Sequence, residues 1–119
     1  MAAPTAGAVR DAVAAHLTLS TEPEKQQLDG PVGAVLALMR RWHGLQVAPD
    51  DDAAPAVEDW PADLYRGAVM LAARLYRRKN SPDAMLAGDG EYGALYVARN
   101  DPDIAMLLRF GNWAEAWIV

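Results

Sequence analysis

The chain has 119 residues, no cysteine and a formal net charge of −5. Such a length fits one domain with a modest core, and the missing thiols exclude disulfides and thiolate metal sites. An acidic balance argues against wrapping nucleic acid by counterion release, so any contact with DNA is expected to be local and weak.

The charge is uneven. Residues 1–59 hold nine acids and four bases, whereas residues 60–119 hold seven of each. The apolar fraction is 52%, much of it alanine. Alanine favours helix and buries little area, so the composition predicts closely packed helices over a thin core, with burial left for neighbours to supply. Arg10 and Asp11 interrupt the apolar opening, which has no signal-peptide layout. No apolar run approaches the ~18 residues of a membrane span, so no membrane partner is expected.

The first predicted element is a helix over 5–19, capped by Thr5, with Val9, Val13, His16 and Leu17 on one face. Residues 20–27 are polar, contain Pro23 and read as a linker or exposed turn. A second helix over 29–43 opens near Pro31, tolerated in a first turn because its missing N–H has no partner there anyway. Its stripe is Val32, Val35, Leu36, Met39 and Trp42 or His43. Arg40 and Arg41 suit the negative end of the dipole, and Gly44 is a natural stop.

Residues 45–59, with Pro49, Pro55 and the run Asp50-Asp51-Asp52, read as a loop. A third long helix follows over 60–80, with Asp59 as its cap and Pro61 in its first turn. Leu64, Ala68, Leu71, Ala72 and Leu75 form its apolar face, widened by Tyr65, Val69 and Tyr76. Asn80-Ser81-Pro82 ends it, because the residue before proline is pushed out of the α region. The run 91–98 (EYGALYVA) alternates loosely and predicts a short strand. Asp101-Pro102 opens a last helix over 101–110. Residues 111–119 form an extended tail. The fold class expected is mainly α: a small antiparallel bundle of about four helices, with a short strand or hairpin between the last two.

Few residue groups suggest chemistry. His16 and His43 lack further ligands at metal spacing and read as packing residues. Asp50–Asp52 lacks the alternating calcium-loop pattern. Asp101 and Asp103 are better read as cap and dipole complement than as an acid/base pair. Gly88, Gly90 and Gly93 precede a predicted strand rather than following one, so they do not form a dinucleotide loop. No enzyme, no metal and no cofactor are expected.

Two features remain. Arg74, Arg77, Arg78 and Lys79 form a basic cluster, explained either by the helix dipole and solvation or by a surface that faces DNA or an acidic partner. Trp113, Trp117, Ile118 and Val119 form an apolar terminus that either folds back onto the core or docks on a partner.

The order of four blocks resembles a known family. They are VLALMRRWHG (35–44), PADLYRGAVMLAARLYRRKNSP (61–82), the tyrosine-bearing strand expected over 92–99, and Asp101-Pro102-Asp103-Ile104 with Leu107-Leu108. Together they resemble the head-to-tail adaptor (head–tail connector) proteins of long-tailed, siphovirus-like bacteriophages, of the actinobacterial-phage type. The opening helix is also similar, whereas 113–119 falls outside the resemblance.

The resemblance implies a structural virion protein assembled in the host cytoplasm. Copies would form a dodecameric ring at the capsid–tail neck, below the portal protein. The ring would extend the DNA channel and dock the next neck protein, a stopper or tail terminator. On this reading Arg74, Arg77, Arg78 and Lys79 face passing DNA. Tyr65, Val69 and Tyr76 serve the subunit interface. Independently of the resemblance, the apolar character of Trp113, Trp117, Ile118 and Val119 makes them the candidates for docking the portal or another partner. The alternative is a small helical DNA-binding or regulatory protein. The long separation between the helices at 29–43 and 60–80 counts against a helix-turn-helix.

Overall fold

A helix that is apolar around most of its circumference must sit among its neighbours rather than on their surface. The middle of residues 62–79, the apolar run 67–73 (GAVMLAA), is such a stretch, and the fold is built around it. The computed structural model describes residues 3–49, 59–79 and 90–110. Among the described residues the chain forms α1 (Ala6–Leu17), α2 (Glu22–Gln26), α3 (Asp29–His43), α4 (Ala62–Lys79), α5 (Gly90–Asn100) and α6 (Pro102–Leu108), and no strand. α4 packs against α1, α3, α5 and α6. It buries Leu64, Ala68, Val69, Leu71, Ala72 and Ala73, which point to several sides of the helix.

The mainly helical class agrees with the sequence, but the expected strand at 91–98 is wrong: those residues lie in α5. Ala94, Val97 and Ala98 are its buried residues, spaced three and four apart as one helical face. Alternation over so short a run fits both periods, and two alanines and a leucine favour helix once a partner surface exists. That surface is α3, which lies alongside α5.

Smaller expectations also change. Residues 22–26 form the one-turn helix α2 rather than a linker, with Pro23 at its start and Glu22 and Glu24 in its first turn. Leu28, fully buried, pins the junction with α3. The first bond of α4 runs from Tyr65 N–H to the Pro61 carbonyl at 3.1 Å, so Pro61 stands ahead of the helix and Asp59 lies too far back to cap it. α1 stops at Leu17 because Thr18 turns left-handed (φ 59°) and Leu19 N–H bonds back to the Ala14 carbonyl at 2.9 Å. The Thr5 cap stands as expected, accepting from Ala8 N–H at 3.0 Å. Gly44 (φ 67°) ends α3 where its lack of a Cβ removes the left-handed penalty. The predicted stop at Asn80-Ser81-Pro82, the aspartate run 50–52 and the tail 111–119 lie outside the described residues.

The core runs through all the long helices. Val9, Val13, Val35, Leu38, Met39, Leu71, Ile104 and Leu108 are almost wholly buried, as is Trp60. Trp60 donates its indole N–H to the Gln46 carbonyl at 2.9 Å, so the ring closes the core while its polar atom is satisfied. Nearby, Ala48 N–H donates to the Pro4 carbonyl at 2.8 Å, tying the segment after α3 to the start of the chain.

α6 is held antiparallel along α4 by three contacts. Midway, Gly67 brings the two backbones together: a Cβ built there would lie 2.7 Å from Leu108 Cδ2, 2.9 Å from its Cγ and 3.0 Å from Leu107 Cβ. At one end the Arg109 guanidinium donates to both oxygens of Asp63, the nearest approach being 3.0 Å. At the other end Arg74 Nη1 meets Asp101 Oδ2 at 2.9 Å.

Replacing Gly67 by alanine tests that contact. In an exposed helix this change stabilises by about 1 kcal/mol. Here overpacking against Leu107 and Leu108 costs roughly 1–3 kcal/mol and reverses the sign. Urea unfolding of Gly67→Ala is expected to show lower stability than the parent chain. A more stable variant would show that α4 and α6 are not in close contact at Gly67.

Candidate functional site

The basic end of α4 forms a cleft with the end of α5. Arg74, Arg77, Arg78, Tyr96, Val97, Asn100 and Asp101 line an open recess of about 370 Å³. Tyr96, 52% exposed, stands as a ridge. On its other side Leu95, Arg99 and Asn100 join it around a second recess of about 360 Å³.

The arginines of the cluster do different things. Arg74 is held by Asp101, whose Oδ1 also accepts the Ile104 N–H at 3.4 Å and caps α6. One carboxylate thus uses one oxygen for a helix start and the other for an ion pair. Arg78 places its guanidinium 5.9 Å from the centre of the Tyr96 ring, within cation–π range. Asn100 fixes the local backbone by donating from Nδ2 to the Tyr96 carbonyl at 2.8 Å. Arg77 and Arg99 are exposed. Lys79 ends α4, and its side chain lies outside the described residues. The lining offers guanidinium donors, an amide and an aromatic face. Those groups hold anions, with arginine suited to carboxylate or phosphate through paired N–H donors.

The other predicted residues are spread out. Val69 is buried in the chain's own core. Tyr65 is half-buried with its ring edge-on to Trp60, centroids 6.4 Å apart, and Tyr76 is half-buried beside the core. His16 is exposed, off the buried face formed by Val9 and Val13. His43 stacks on Phe110 at 5.5 Å and 22°. Trp113, Trp117, Ile118 and Val119 lie outside the described residues.

Among the described residues three large exposed apolar side chains are not singled out as surface features by the sequence pattern: Trp42, Tyr96 and Met106. Trp42 was expected in the stripe of α3. Leu38, outside that stripe, is buried instead, and Trp42 stands 52% exposed with its edge 6.0 Å from the Phe110 ring. Among the described residues no His, Cys, Asp and Glu side chains cluster as a metal set, and no helix is long and apolar enough to cross a membrane. No protein-family model matches the chain, and no curated protein or solved structure is significantly similar to it.

The double duty of Asp101 separates two substitutions. Asp101→Ala removes cap and ion pair and is expected to lower unfolding stability by about 1–2 kcal/mol. Asp101→Asn keeps a capping oxygen and loses only a partly exposed ion pair, so its cost stays below about 1 kcal/mol. Chemical denaturation of both variants checks this. Equal losses would mean that the Arg74 pair, not the cap, dominates.

Proposed function

We propose that the chain is a structural subunit of the neck of a long-tailed bacteriophage, an adaptor joining the portal side of the capsid to the tail. Copies close into a dodecameric ring that continues the DNA channel, with a stopper or tail terminator docking on the far side. The observation that carries this reading is the succession of the four sequence blocks. Three of the blocks fall on helices in order, 35–44 on the end of α3, residues 61–79 of the second on α4 and 101–108 on α6, whereas 92–99, expected as a strand, is helical in α5 and departs from the expected pattern.

Other features support it. The described helices bury apolar residues on several sides of α4, yet leave Trp42, Tyr96 and Met106 on the surface, as a subunit with neighbours on two sides requires. The apolar residues Trp113, Trp117, Ile118 and Val119 supply a further docking element for a portal or tail-side partner. A helix-turn-helix regulator is less well supported, because residues 44–61 separate α3 from α4.

Negative-stain electron microscopy of the purified protein, alone and mixed with tailless phage heads, tests the proposal. Rings, or added density at a single capsid vertex, are expected. A monomer that leaves capsids bare would remove the connector reading.

A further inference from the structure

The charges around Tyr96 do not cancel within the chain. Arg74 is matched: Asp101 meets it at 2.9 Å and is itself only 15% exposed, so that pair adds no net charge to the cleft. Among the described residues no carboxylate pairs with Arg77, Arg78 or Arg99. Asp103, exposed two residues beyond Asp101, is not part of the cleft lining. The cleft is therefore a positive spot on a chain whose total charge is −5.

Tyr96 stands in the middle of that spot. The recess on one side holds Arg77 and Arg78, and the recess on the other holds Arg99. The ring is exposed, with the Arg78 guanidinium 5.9 Å from its centre. Ala94, Val97 and Ala98 anchor α5 in the core, and Asn100 Nδ2 donates to the Tyr96 carbonyl, so a packed helix displays the ring. Exposed tyrosine held among arginines has the composition enriched at the energetic centres of protein interfaces.

We propose that this ridge and its two recesses form a docking site for an acidic segment of a partner protein. An extended peptide would lay an apolar side chain on Tyr96 and set a carboxylate in each recess, where the planar fork of arginine pairs both oxygens. A small-molecule site encloses most of its ligand, whereas open recesses on either side of a ridge suit a chain that passes over it. A nucleic-acid strand carries charge at every residue and is opposed by the acidic chain as a whole. Two carboxylates among neutral residues meet mainly the local positive field. The inference goes beyond the neck reading and does not rest on it, since the cleft calls for the same segment whichever protein supplies it.

Fluorescence anisotropy of the full chain with labelled probes gives the test. One probe is a peptide of about ten residues with glutamate at alternate positions and leucine between them, so that its carboxylates share one side. Its counterpart has glutamine in place of glutamate, and a thymidine oligonucleotide serves as the nucleic-acid probe. The glutamate peptide is expected to bind on the order of tenfold more tightly than the glutamine peptide at about 0.05 M salt, with the difference shrinking at about 0.5 M. Arg77→Glu and Arg99→Glu, both at exposed positions, are each expected to remove most of that preference. Tyr96→Ala is expected to weaken binding at both salt concentrations, because an apolar contact is not screened. Arg66→Glu is the control for net charge: it is exposed and lies about 16 Å along α4 from Arg77 at 1.5 Å per residue, so it is expected to leave binding unchanged.

Equal binding of the two peptides, or equal loss in Arg66→Glu and Arg77→Glu, would overturn the proposal and leave the arginines as solvation of a helix end. Oligonucleotide binding stronger than peptide binding, and lost in the same variants, would give the cleft to nucleic acid. Self-association of the parent chain that disappears in Arg77→Glu would give it to a second copy. Peptide binding absent from the parent but present in Asp83→Asn with Asp89→Asn would give it to residues 80–89 of the chain itself. Each of these three results also overturns the partner-protein assignment.

Discussion

The contact of Gly67 with Leu107 and Leu108 sets the position of everything at the basic end of the molecule. A side chain at residue 67 would hold α6 away from α4. With α6 drawn in, Asp63 and Arg109 meet at one end of the pair and Arg74 and Asp101 at the other. Asp101 directly follows α5, so the same contact fixes where α5 ends and hence where Tyr96 stands beside Arg78. At the far end it delivers Phe110 to Trp42 and His43. Ion pairs this exposed add little stability by themselves. Their role is to fix direction and register along an interface whose free energy comes from apolar burial.

Arg109 illustrates that division. It adopts a left-handed backbone (φ 59°), a conformation that L-residues other than glycine and asparagine generally avoid. Phe110 N–H returns to the Ala105 carbonyl at 2.9 Å and closes the end of α6. The bidentate grip on Asp63 retains an arginine where glycine would be conformationally easier. The left-handed turn directs the chain toward the end of α3, where Phe110 is buried against Trp42 and His43, and that burial offsets the local backbone cost.

Local signals were readable in the sequence and long-range ones were not. The bounds of α3, the Thr5 cap, the left-handed Gly44 and the Asp101-Pro102 start all follow from residues within one turn of the feature. The second partner of Asp101 is Arg74, on a different helix, and no spacing rule reaches that far. Residues 91–98 were misread because a short run of alanine and tyrosine satisfies both periods until α3 supplies the surface that selects one. Val69 and Trp42 exchange their expected places for a related reason. α4 is surrounded, so its flank is core, whereas α3 is covered on fewer sides near its end, so an apolar residue there faces outward. The basic cluster was visible as charge, but its separation into a pinned arginine, a ring-stacked arginine and an exposed one needed the geometry.

Because α4 takes partners from both earlier and later in the chain, its sides are covered at different times. A polypeptide made from its N-terminus can pack α1 and α3 on α4 while α6 is still inside the ribosome. Until Leu107 and Leu108 emerge, the side of α4 around Gly67 is an uncovered apolar groove. A glycine there also presents less apolar surface to other chains than a larger residue would during that interval. The same small residue that permits the final close fit thereby limits the exposure of an unfinished subunit in a crowded cell.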